Sequence, residues 1–477
     1  MNIERFEIRT SSRRVFRRCL RKWGYSSSLR MNLQRQGAES NINFWFGTAI
    51  HFAMEDYFGW NKFGDPRRAF KAYYAAFKPE DRPEGADEHY ELGLAMLTYF
   101  LEWYPKHNTD MGFKTLWLNE QDQEVPANTP GARPACEEEF TLDLGYRVII
   151  NATSGEIIKE WNAITDMIYD KEGFHPDWSI NNRLDAQTIE MSDPSREYVL
   201  VHEVATDGFG GSMADTTVRI VPVCYHGTMD RMVVDRYGRW WILDYKTAKG
   251  ADTRKLDTDD QISAYCWAAE QRFQHPVYGF IYLQLTKDVA KPPKRLKDGS
   301  LSVDKKQKTT YALFKDEVIK DYGEVAKAPN KVIEMLNHLA DIEEPEGDRF
   351  IRWDFVVRNQ AQKIATYNNI MAETKLMLSQ DFLFPNPTRD CGWDCPFREI
   401  CIATDQGRLD DAQAMLDANF EVRDDTLEHN HDDWREDIKW PEGPQDTIDV
   451  DAEELVPKNI FNIILPEKYL VDDNDEE

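Results

Sequence analysis

The segment of residues 227–247, GTMDRMVVDRYGRWWILDYKT, constrains the fold more than any other part of this chain. Two runs of β-branched and aromatic residues flank a short polar turn. Gly238 stands where that turn needs a positive φ, so the segment predicts a β-hairpin. Because side chains alternate along a strand, Asp244 and Lys246 would project to the same face. With Asp230 on the first strand, two carboxylates and one ammonium group would converge on one point.

A surface hairpin with an ordinary salt bridge is the alternative interpretation, and for an isolated Asp-x-Lys it would be the better one. Here the charges lie inside an apolar strand with aromatic neighbours, and polar groups that are buried together usually form a site. Hard divalent cations prefer carboxylate oxygens, and phosphoryl chemistry requires a nearby cation. The hairpin therefore predicts a site for a divalent metal ion.

Two further pairs of residues accompany the hairpin. Gln261 and Tyr265 are four apart in a predicted helix, so they share a helix face. Gly47 and His51 are also four apart, and the glycine would let another backbone approach closely. A lone histidine of this kind is more often a packed or surface residue than a ligand. The interpretation of His51 as a ligand is stronger here because the histidine belongs to a series of motifs.

The order Gly-x3-His, Gly-x2-Asp, Asp-x-Lys-Thr and Gln-x3-Tyr resembles the PD-(D/E)XK nuclease superfamily, specifically its RecB-like branch. The resemblance covers about residues 11–402. It implies an α/β (α+β) fold, in which a central mixed β-sheet is flanked by helices, and a site for Mg²⁺ or Mn²⁺. It also implies a glutamate at the start of the first core strand. Glu137 and Glu203 both qualify, and the sequence leaves the choice between them open.

The same resemblance implies a role for each motif residue. The catalytic residues that it implies are Asp230, Asp244, Lys246, Gln261 and Tyr265. The metal ligands that it implies are His51, Asp230, Asp244 and the backbone carbonyl of Tyr245. The lysine would orient the attacking water and offset the charge that develops on the phosphate. The glutamine and the tyrosine of the predicted helix would hold the lysine and the DNA backbone in position.

A second candidate centre lies near the C-terminal end of the resemblance. Cys391, Cys395 and Cys401 form a C-x3-C-x5-C cluster, and a tetrahedral or cubane site needs a fourth thiolate, for which Cys19 is the candidate. RecB-like nucleases of the AddB type have a similar layout, which implies a [4Fe–4S] cluster that clips the N- and C-terminal parts together. Zinc is the competing occupant, but zinc sites commonly pair two C-x2-C knuckles and no second knuckle is present. The remaining cysteines are predicted to be buried thiols: Cys136, Cys224 and Cys266.

A net charge of −27 opposes the binding of DNA, but the distribution of the charges along the chain resolves most of this conflict. Residues 405–477 hold 24 acidic residues against 6 basic ones, whereas residues 286–309 and an N-terminal helix that Ser11 or Ser12 would cap are basic. Such segments are candidate phosphate contacts, with ordinary solvated charge as an equal alternative for the loop. The DNA-binding residues predicted are Arg14, Arg17, Arg18, Arg21, Lys294, Arg295, Lys305 and Lys306.

The organisation predicted is one nuclease domain, residues 1–404, followed by an acidic, flexible tail, residues 405–477. The tail would either mimic DNA and screen the basic groove or, as the preferred interpretation, aid solubility or bind a partner. Within the domain we expect helices over about 52–107, a catalytic core over about 197–285, a basic loop over 286–309, helices over 311–380 with the longest over 355–380, and the cysteine cluster over 391–401.

The predicted function is a metal-dependent DNA exonuclease acting on single-stranded DNA or DNA ends, with 5′ to 3′ polarity favoured, in recombination, replication or end processing. No G-x4-G-K-[ST] phosphate loop occurs, so a helicase or recombination protein would be a separate partner. The resemblance extends to standalone bacteriophage-encoded and CRISPR-associated members. Without a signal peptide or a run of about 18 apolar residues, the chain is predicted to be cytoplasmic, in a bacterial host cell if phage-encoded, and not membrane-bound. The alternatives are an endonuclease, an RNA substrate, or a non-catalytic DNA-end-binding or assembly factor.

Overall fold

The computed structural model describes residues 4–36, 41–154, 157–158, 167–170, 197–204, 212–249, 256–343, 347–380, 382–423, 435 and 437–440. The chain divides into two compact units. The first unit combines residues 1–38, 139–227 and 364–429, and the second unit combines residues 39–138, 228–363 and 430–477. Each unit is therefore assembled from three separated stretches of chain.

The described residues form runs of consecutive helices and runs of consecutive strands. The helices are α1 (Thr10–Arg18), α2 (Leu20–Ser26), α3 (Ile42–Phe58), α4 (Pro66–Ala76), α5 (Ala86–Met111), α6 (Asp260–Phe273), α7 (Tyr311–Tyr322), α8 (Asn330–Glu343), α9 (Gln360–Ser379), α10 (Arg398–Asp405) and α11 (Leu409–Asn419). The strands are β1 (Phe6–Ile8), β2 (Leu33–Arg35), β3 (Lys114–Thr115), β4 (Trp117–Leu118), β5 (Arg133–Pro134), β6 (Cys136–Asn151), β7 (Met167–Asp170), β8 (Glu197–Val204), β9 (Ser212–Val234), β10 (Trp240–Ala248), β11 (Val277–Thr286), β12 (Ile351–Val357) and β13 (Phe420–Val422).

The sheet of the second unit is mixed. The end of β9 pairs with β10 in antiparallel fashion, β10 pairs with β11 in parallel, and β11 pairs with β12 in antiparallel fashion. The predicted hairpin joins β9 to β10, and Gly238 adopts φ +78° in its turn. Asp235 stabilises the turn because its Oδ1 accepts the backbone N–H groups of Tyr237 and Arg239.

Helices cover both faces of this sheet. One face packs against α3, α4 and α5 through an aromatic core that includes Trp241, Tyr245 and Trp353. The opposite face packs against α6, where the ring of Tyr265 approaches that of Phe280 on β11. The predicted mixed sheet flanked by helices is therefore confirmed, and the helices expected over 52–107 are present as α3, α4 and α5.

One strand of this sheet differs from the sequence prediction. Residues 355–380 were expected to form one helix, but β12 occupies Ile351–Val357 and α9 begins only at Gln360. The segment IRWDFVV is mostly buried and is rich in β-branched and aromatic residues, so it fits a strand position beside β11.

The strands of the first unit also pair in both orientations. Strand β7 pairs with β8, and β8 pairs with the beginning of β9, both in antiparallel fashion, whereas β1 pairs with β9 in parallel. Near the cysteines, α10 and α11 pack around a small core that includes Phe397, Ile400 and Leu416. Strand β13 of this region pairs with β2, with Phe420 opposite Arg35.

Two boundaries of the first unit correct the predictions. The N-terminal helix is broken at Cys19, which is extended at φ −161°, and α1 begins at Thr10, so Ser11 and Ser12 lie inside the helix and do not cap it. The acidic segment was expected to be flexible from residue 405, but α11 and β13 are folded over residues 409–422. Residues 441–477 lie outside the described residues. In the described part of the chain, no helix is long and apolar enough to cross a membrane.

Candidate functional site

The β9/β10 hairpin brings the two predicted aspartates together. Ladder pairing ends with Leu243 opposite Arg231, so Asp244 and Asp230 come next in register on their two strands. The backbone N–H of Tyr245 donates to Oδ2 of Asp230 at 2.8 Å instead of continuing the ladder. The end of the ladder therefore fixes one carboxylate beside the strand that carries the other.

Lys246 lies on the same face of β10 as Asp244, as the strand alternation predicts. Its Nζ is 2.6 Å from Oδ2 of Asp244. The aspartate side chain is only 6% exposed, whereas that of the lysine is 45% exposed. The ammonium group thus contacts a buried carboxylate and also reaches solvent, which is the position that a contact with an anionic substrate requires.

Helix α3 contributes His51 to the same place. Its Nδ1 lies 3.4 Å from Oδ2 of Asp230, and its Nε2 lies 2.9 Å from the carbonyl oxygen of Tyr245. The predicted histidine ligand and the predicted carbonyl ligand are therefore adjacent. Gly47 does not have the expected role, because a Cβ built on it would meet only Oγ1 of Thr247 at 3.9 Å, an ordinary contact.

Glu137, at the start of β6, completes this group. A nitrogen of His51 and carboxylate oxygens of Glu137 and Asp230 all lie within 4.8 Å of one another, and they form the one such group of three among the described residues. Glu137 has φ +50°, a left-handed conformation that is strained for a residue with a Cβ. The structure thus brings Glu137 to the site, whereas the side chain of Glu203, on β8, lies outside the described residues.

Sequence reasoning missed one further acidic residue beside the site. Glu55 lies one turn after His51 on α3 and pairs with Arg435 at 2.8 Å. The Arg435 guanidinium also lies over the ring of Phe52. The four-residue spacing of His51 and Glu55 was a signal in the sequence that could have identified this glutamate.

Two acidic residues of the site, Asp244 and Glu137, have raised pKa values. Burial raises the pKa of Asp244 to about 6, an effect that Lys246 opposes and that Asp230 increases. Burial also raises the pKa of Glu137 well above its usual value, and the negative charges of Asp230 and Glu55 raise it further. Negative charge is therefore crowded here beyond what the neighbouring cations neutralise.

A divalent cation fits the chemistry of this donor set. Carboxylate and carbonyl oxygens, which dominate this set, are the ligands that Mg²⁺ and Mn²⁺ prefer. A bound cation would also offset the repulsion that raises the pKa values of Asp244 and Glu137. The residues that would hold it are His51, Glu137, Asp230, Asp244 and the carbonyl of Tyr245.

Gln261 and Tyr265 lie on α6, whose first turn is capped by Asp259 through the backbone N–H of Gln261. Tyr265 of this helix approaches Phe280 of β11, which lies on the same face of the strand as Tyr282. Tyr282 is the strand partner of Asp244, and Lys246 approaches its ring. The helix therefore packs on the face of the sheet to which Asp244 and Lys246 belong. The placement of Gln261 and Tyr265 on this helix agrees with the predicted role of positioning Lys246. Their contacts with Lys246 and with DNA stay predictions.

The four predicted cluster cysteines line one cavity of about 170 Å³ in the first unit. Cys19 comes from the break between α1 and α2, Cys391 from a short 3-10 turn, Cys395 from the loop after it, and Cys401 from α10. No three of the four sulfur atoms, all of them described, lie within 4.8 Å of one another. A single zinc ion with bonds of about 2.3 Å would hold all four within roughly 3.8 Å of one another.

N–H groups point at the sulfur atoms of this cavity. Cys19 Sγ accepts from the backbone N–H groups of Lys22 and Asn386, both at 3.5 Å, and Cys391 Sγ accepts from that of Thr388 at 3.4 Å. The Arg21 guanidinium donates to Cys401 Sγ at 3.1 Å. Hydrogen bonds from N–H groups to cysteine sulfur are among the features that set the reduction potential of an iron–sulfur cluster.

The predicted DNA-binding arginines of the N-terminal segment include three that pair with carboxylates within the first unit. Those pairs are Arg17 with Glu373 at 3.0 Å, Arg18 with Asp394 at 2.7 Å, and Arg21 with Asp405 at 2.6 Å. The fourth predicted residue, Arg14, is exposed. A contact of these arginines with DNA stays a prediction, and for the three paired residues it would have to compete with the carboxylates.

The basic segment 286–309 has little regular structure, as predicted, and contains an isolated bridge between Arg295 and Leu301. Arg295 pairs with Glu317 at 2.6 Å and Asp321 at 2.8 Å. Lys305 and Lys306, in contrast, line a pocket. The four basic residues predicted in this segment, which also include Lys294, are therefore in different electrostatic situations.

Comparison with known proteins identifies the family. The family model described as the PD-(D/E)XK nuclease superfamily matches residues 10–402. No curated protein matches the chain. The family match spans His51, both aspartates of the hairpin, Lys246 and the cysteine cluster.

Proposed function

The chain belongs to the PD-(D/E)XK nuclease superfamily, and on that premise we propose that it is a metal-dependent DNA exonuclease with a structural iron–sulfur cluster. The observation that carries the proposal is the convergence of His51, Glu137 and Asp230 within 4.8 Å, beside the Asp244–Lys246 pair. Single-stranded DNA or DNA ends are the substrates proposed, with 5′ to 3′ polarity favoured. The reaction is hydrolysis of a phosphodiester bond.

The chain's own residues meet two needs of this reaction. A phosphodiester is anionic and resists a nucleophile, and a divalent ion, when bound, supplies charge neutralisation and acidifies water. The carboxylate oxygens that would bind the ion are held in place. Asp230 accepts a hydrogen bond from the Tyr245 N–H, and Asp244 pairs with Lys246. Lys246 adds a positive charge that is already positioned, so little reorganisation is needed when charge develops on the phosphate.

Support for an iron–sulfur cluster comes from the cysteine cavity. Its sulfur atoms are spaced more widely than one zinc ion needs, and N–H groups already point at three of them. A cluster of several iron atoms suits such spacing better. Bound there, it would tie residues near Cys19 to residues 391–401 within the first unit.

Digestion of end-labelled DNA tests the proposed reaction. Single and double strands labelled at the 5′ or 3′ end are incubated with Mn²⁺, Mg²⁺ or EDTA, with RNA of the same sequence alongside. We expect mononucleotides or short products from one end, only with the metal present. Binding without cleavage under every metal condition would favour the alternative of a non-catalytic DNA-end-binding factor, and internal cuts in circular DNA would favour an endonuclease.

A further inference from the structure

A basic pocket of about 520 Å³ lies in the second unit at the carboxyl ends of β10 and β11. Its basic residues are Lys249, Lys305, Lys306, Arg349 and Arg352. Lys249 directly follows β10, the strand that carries Asp244 and Lys246, and Thr286 at the end of β11 also lines the pocket. Strand β10 therefore carries residues of the metal site and leads directly into the pocket.

The two carboxylates in the pocket wall do not neutralise it. Asp288 is paired with Lys308 at 2.8 Å. Asp348 accepts the backbone N–H groups of Phe350 and Ile351 and the hydroxyl of Tyr99. Both acids thus already have partners other than the basic residues of the pocket.

Several cations of the pocket are available to a ligand. Among the described residues, no carboxylate lies within ion-pair distance of Lys249, Lys305, Lys306 or Arg349. Arg352, in contrast, pairs with Asp354 at 2.7 Å. Among the residues that the structure describes, these four cations therefore have no carboxylate partner and can contact an anion.

The part of the loop that carries two of these lysines is anchored. Gln307 is buried, its Nε2 donates to the carbonyl of Ser302 at 2.8 Å, and its Oε1 accepts the backbone N–H of Lys294 at 3.0 Å. Arg349 donates to the carbonyl of Gln307 at 2.7 Å. This bonding holds the chain beside Lys305 and Lys306 before a ligand arrives, which lowers the entropic cost of binding.

The distance from the metal site suits a polynucleotide. Lys249 is three residues beyond Lys246, or about 10 Å along an extended strand. A few nucleotides span such a distance, since the rise per base step in duplex DNA is about 3.4 Å. A strand whose scissile phosphate lies at the metal site can therefore place a neighbouring phosphate in the pocket.

We propose that this basic pocket binds a phosphate group of the nucleic-acid substrate a few nucleotides from the bond that is cleaved. The inference rests on the proposed nuclease function and adds the site that positions the strand. The inference also assigns different roles to residues of the basic loop. Lys305 and Lys306 belong to the pocket, whereas the charge of Arg295 is neutralised by Glu317 and Asp321. The phosphate could be internal or at a strand end, and both present the same anionic oxygens.

Binding and cleavage by pocket variants test this inference. The double variant Lys305→Ala, Lys306→Ala and the single variant Lys249→Ala are compared with Lys297→Ala, an exposed lysine of the same loop outside the pocket. Fluorescence anisotropy with a labelled oligonucleotide in EDTA measures the dissociation constant at several salt concentrations. We expect at least tenfold weaker binding by the double variant and no change for the control. The salt slope of the double variant should fall by about one for each phosphate that it no longer neutralises.

Two further arms make the outcome specific. An oligonucleotide with a 5′-phosphate is compared with its 5′-hydroxyl form; a preference that the double variant loses identifies an end phosphate, and equal binding identifies an internal one. The loss of cleavage by the double variant should be at least tenfold greater for the oligonucleotide than for bis(p-nitrophenyl) phosphate, which reaches only the metal site. Unchanged DNA affinity and salt slope in the double variant would overturn the inference that the pocket binds a phosphate group. Normal pocket-dependent binding without cleavage by the unmodified protein would overturn the nuclease function alone.

Discussion

Replacing Asp244 by Asn should abolish cleavage and, in the absence of metal, stabilise the fold at neutral and alkaline pH. The side chain is buried beside Asp230, and Lys246 only partly offsets the cost of its charge. Asparagine is close to it in shape and carries no charge. The same substitution should therefore remove a metal ligand and a source of instability.

The magnitude follows from the pKa of Asp244, which burial raises from 3.8 to about 6. Since one pKa unit corresponds to about 1.4 kcal/mol, the ionised group costs the folded state about 3 kcal/mol above pH 6. The sign is fixed because the folded state binds the proton more tightly than the unfolded state between these pKa values. Stability is therefore lost as pH rises from about 4 to 6, and asparagine avoids that loss.

Urea unfolding in EDTA at pH 5 and pH 8 measures the effect. The variant should exceed the unmodified protein by up to about 3 kcal/mol at pH 8 and by about half of that at pH 5. Saturating Mg²⁺ should raise the stability of the unmodified protein, by about 2.7 kcal/mol at one hundred times its dissociation constant, and leave the variant unchanged.

Asp341→Asn, which changes an exposed carboxylate on α8, is the matched control and should leave stability unaltered at both pH values. A variant at position 244 that is less stable than the unmodified protein at pH 8 would refute the reasoning. A stability difference that does not change between the two pH values would do the same.

Four further outcomes are expected. Glu137→Gln should weaken Mn²⁺ binding at least tenfold by calorimetry, while Glu139→Gln on the same strand should not; equal affinities would exclude Glu137 as a ligand. Lys246→Ala should lower kcat by roughly 10²-fold or more with Mn²⁺ affinity retained, and normal turnover would remove its catalytic role. Cys391→Ser should lose iron and the brown absorbance at about 400 nm, whereas an anaerobically purified unmodified protein that is colourless with stoichiometric zinc would overturn the proposed cluster. Removal of residues 441–477 should leave DNA affinity and turnover unchanged; a gain in either would indicate autoinhibition.

The hairpin and its site were predictable because local rules govern them. Alternation along β10 placed Asp244 and Lys246 on one face, and the turn residues fixed where β9 meets β10. The position of Glu137 was not predictable, because its aim at Asp230 depends on a positive φ that no local propensity of glutamate indicates. Family resemblance supplied the possibility of a glutamate, and the structure brings Glu137 within 4.8 Å of His51 and Asp230.

The errors at helix boundaries have a common physical cause. The helix expected from residue 355 begins at Gln360, since pairing with β11 stabilises the extended form of Ile351–Val357. The break at Cys19 and the fold of residues 409–422 likewise depend on partners distant in sequence. Hydrophobic periodicity alone does not contain such information.

The pairing of β2 with β13 has a consequence for how the chain is made. Leu33–Arg35 and Phe420–Val422 are hydrogen-bonded neighbours, yet nearly the whole sequence is translated between them. At about 5–20 residues per second, the earlier strand leaves the ribosome roughly 20–80 s before its partner exists. Leu33–Arg35 therefore lacks this hydrogen-bonded partner while the residues between the two strands are translated. The proposed cluster would likewise require the thiol of Cys19 to stay reduced until Cys391, Cys395 and Cys401 have been made.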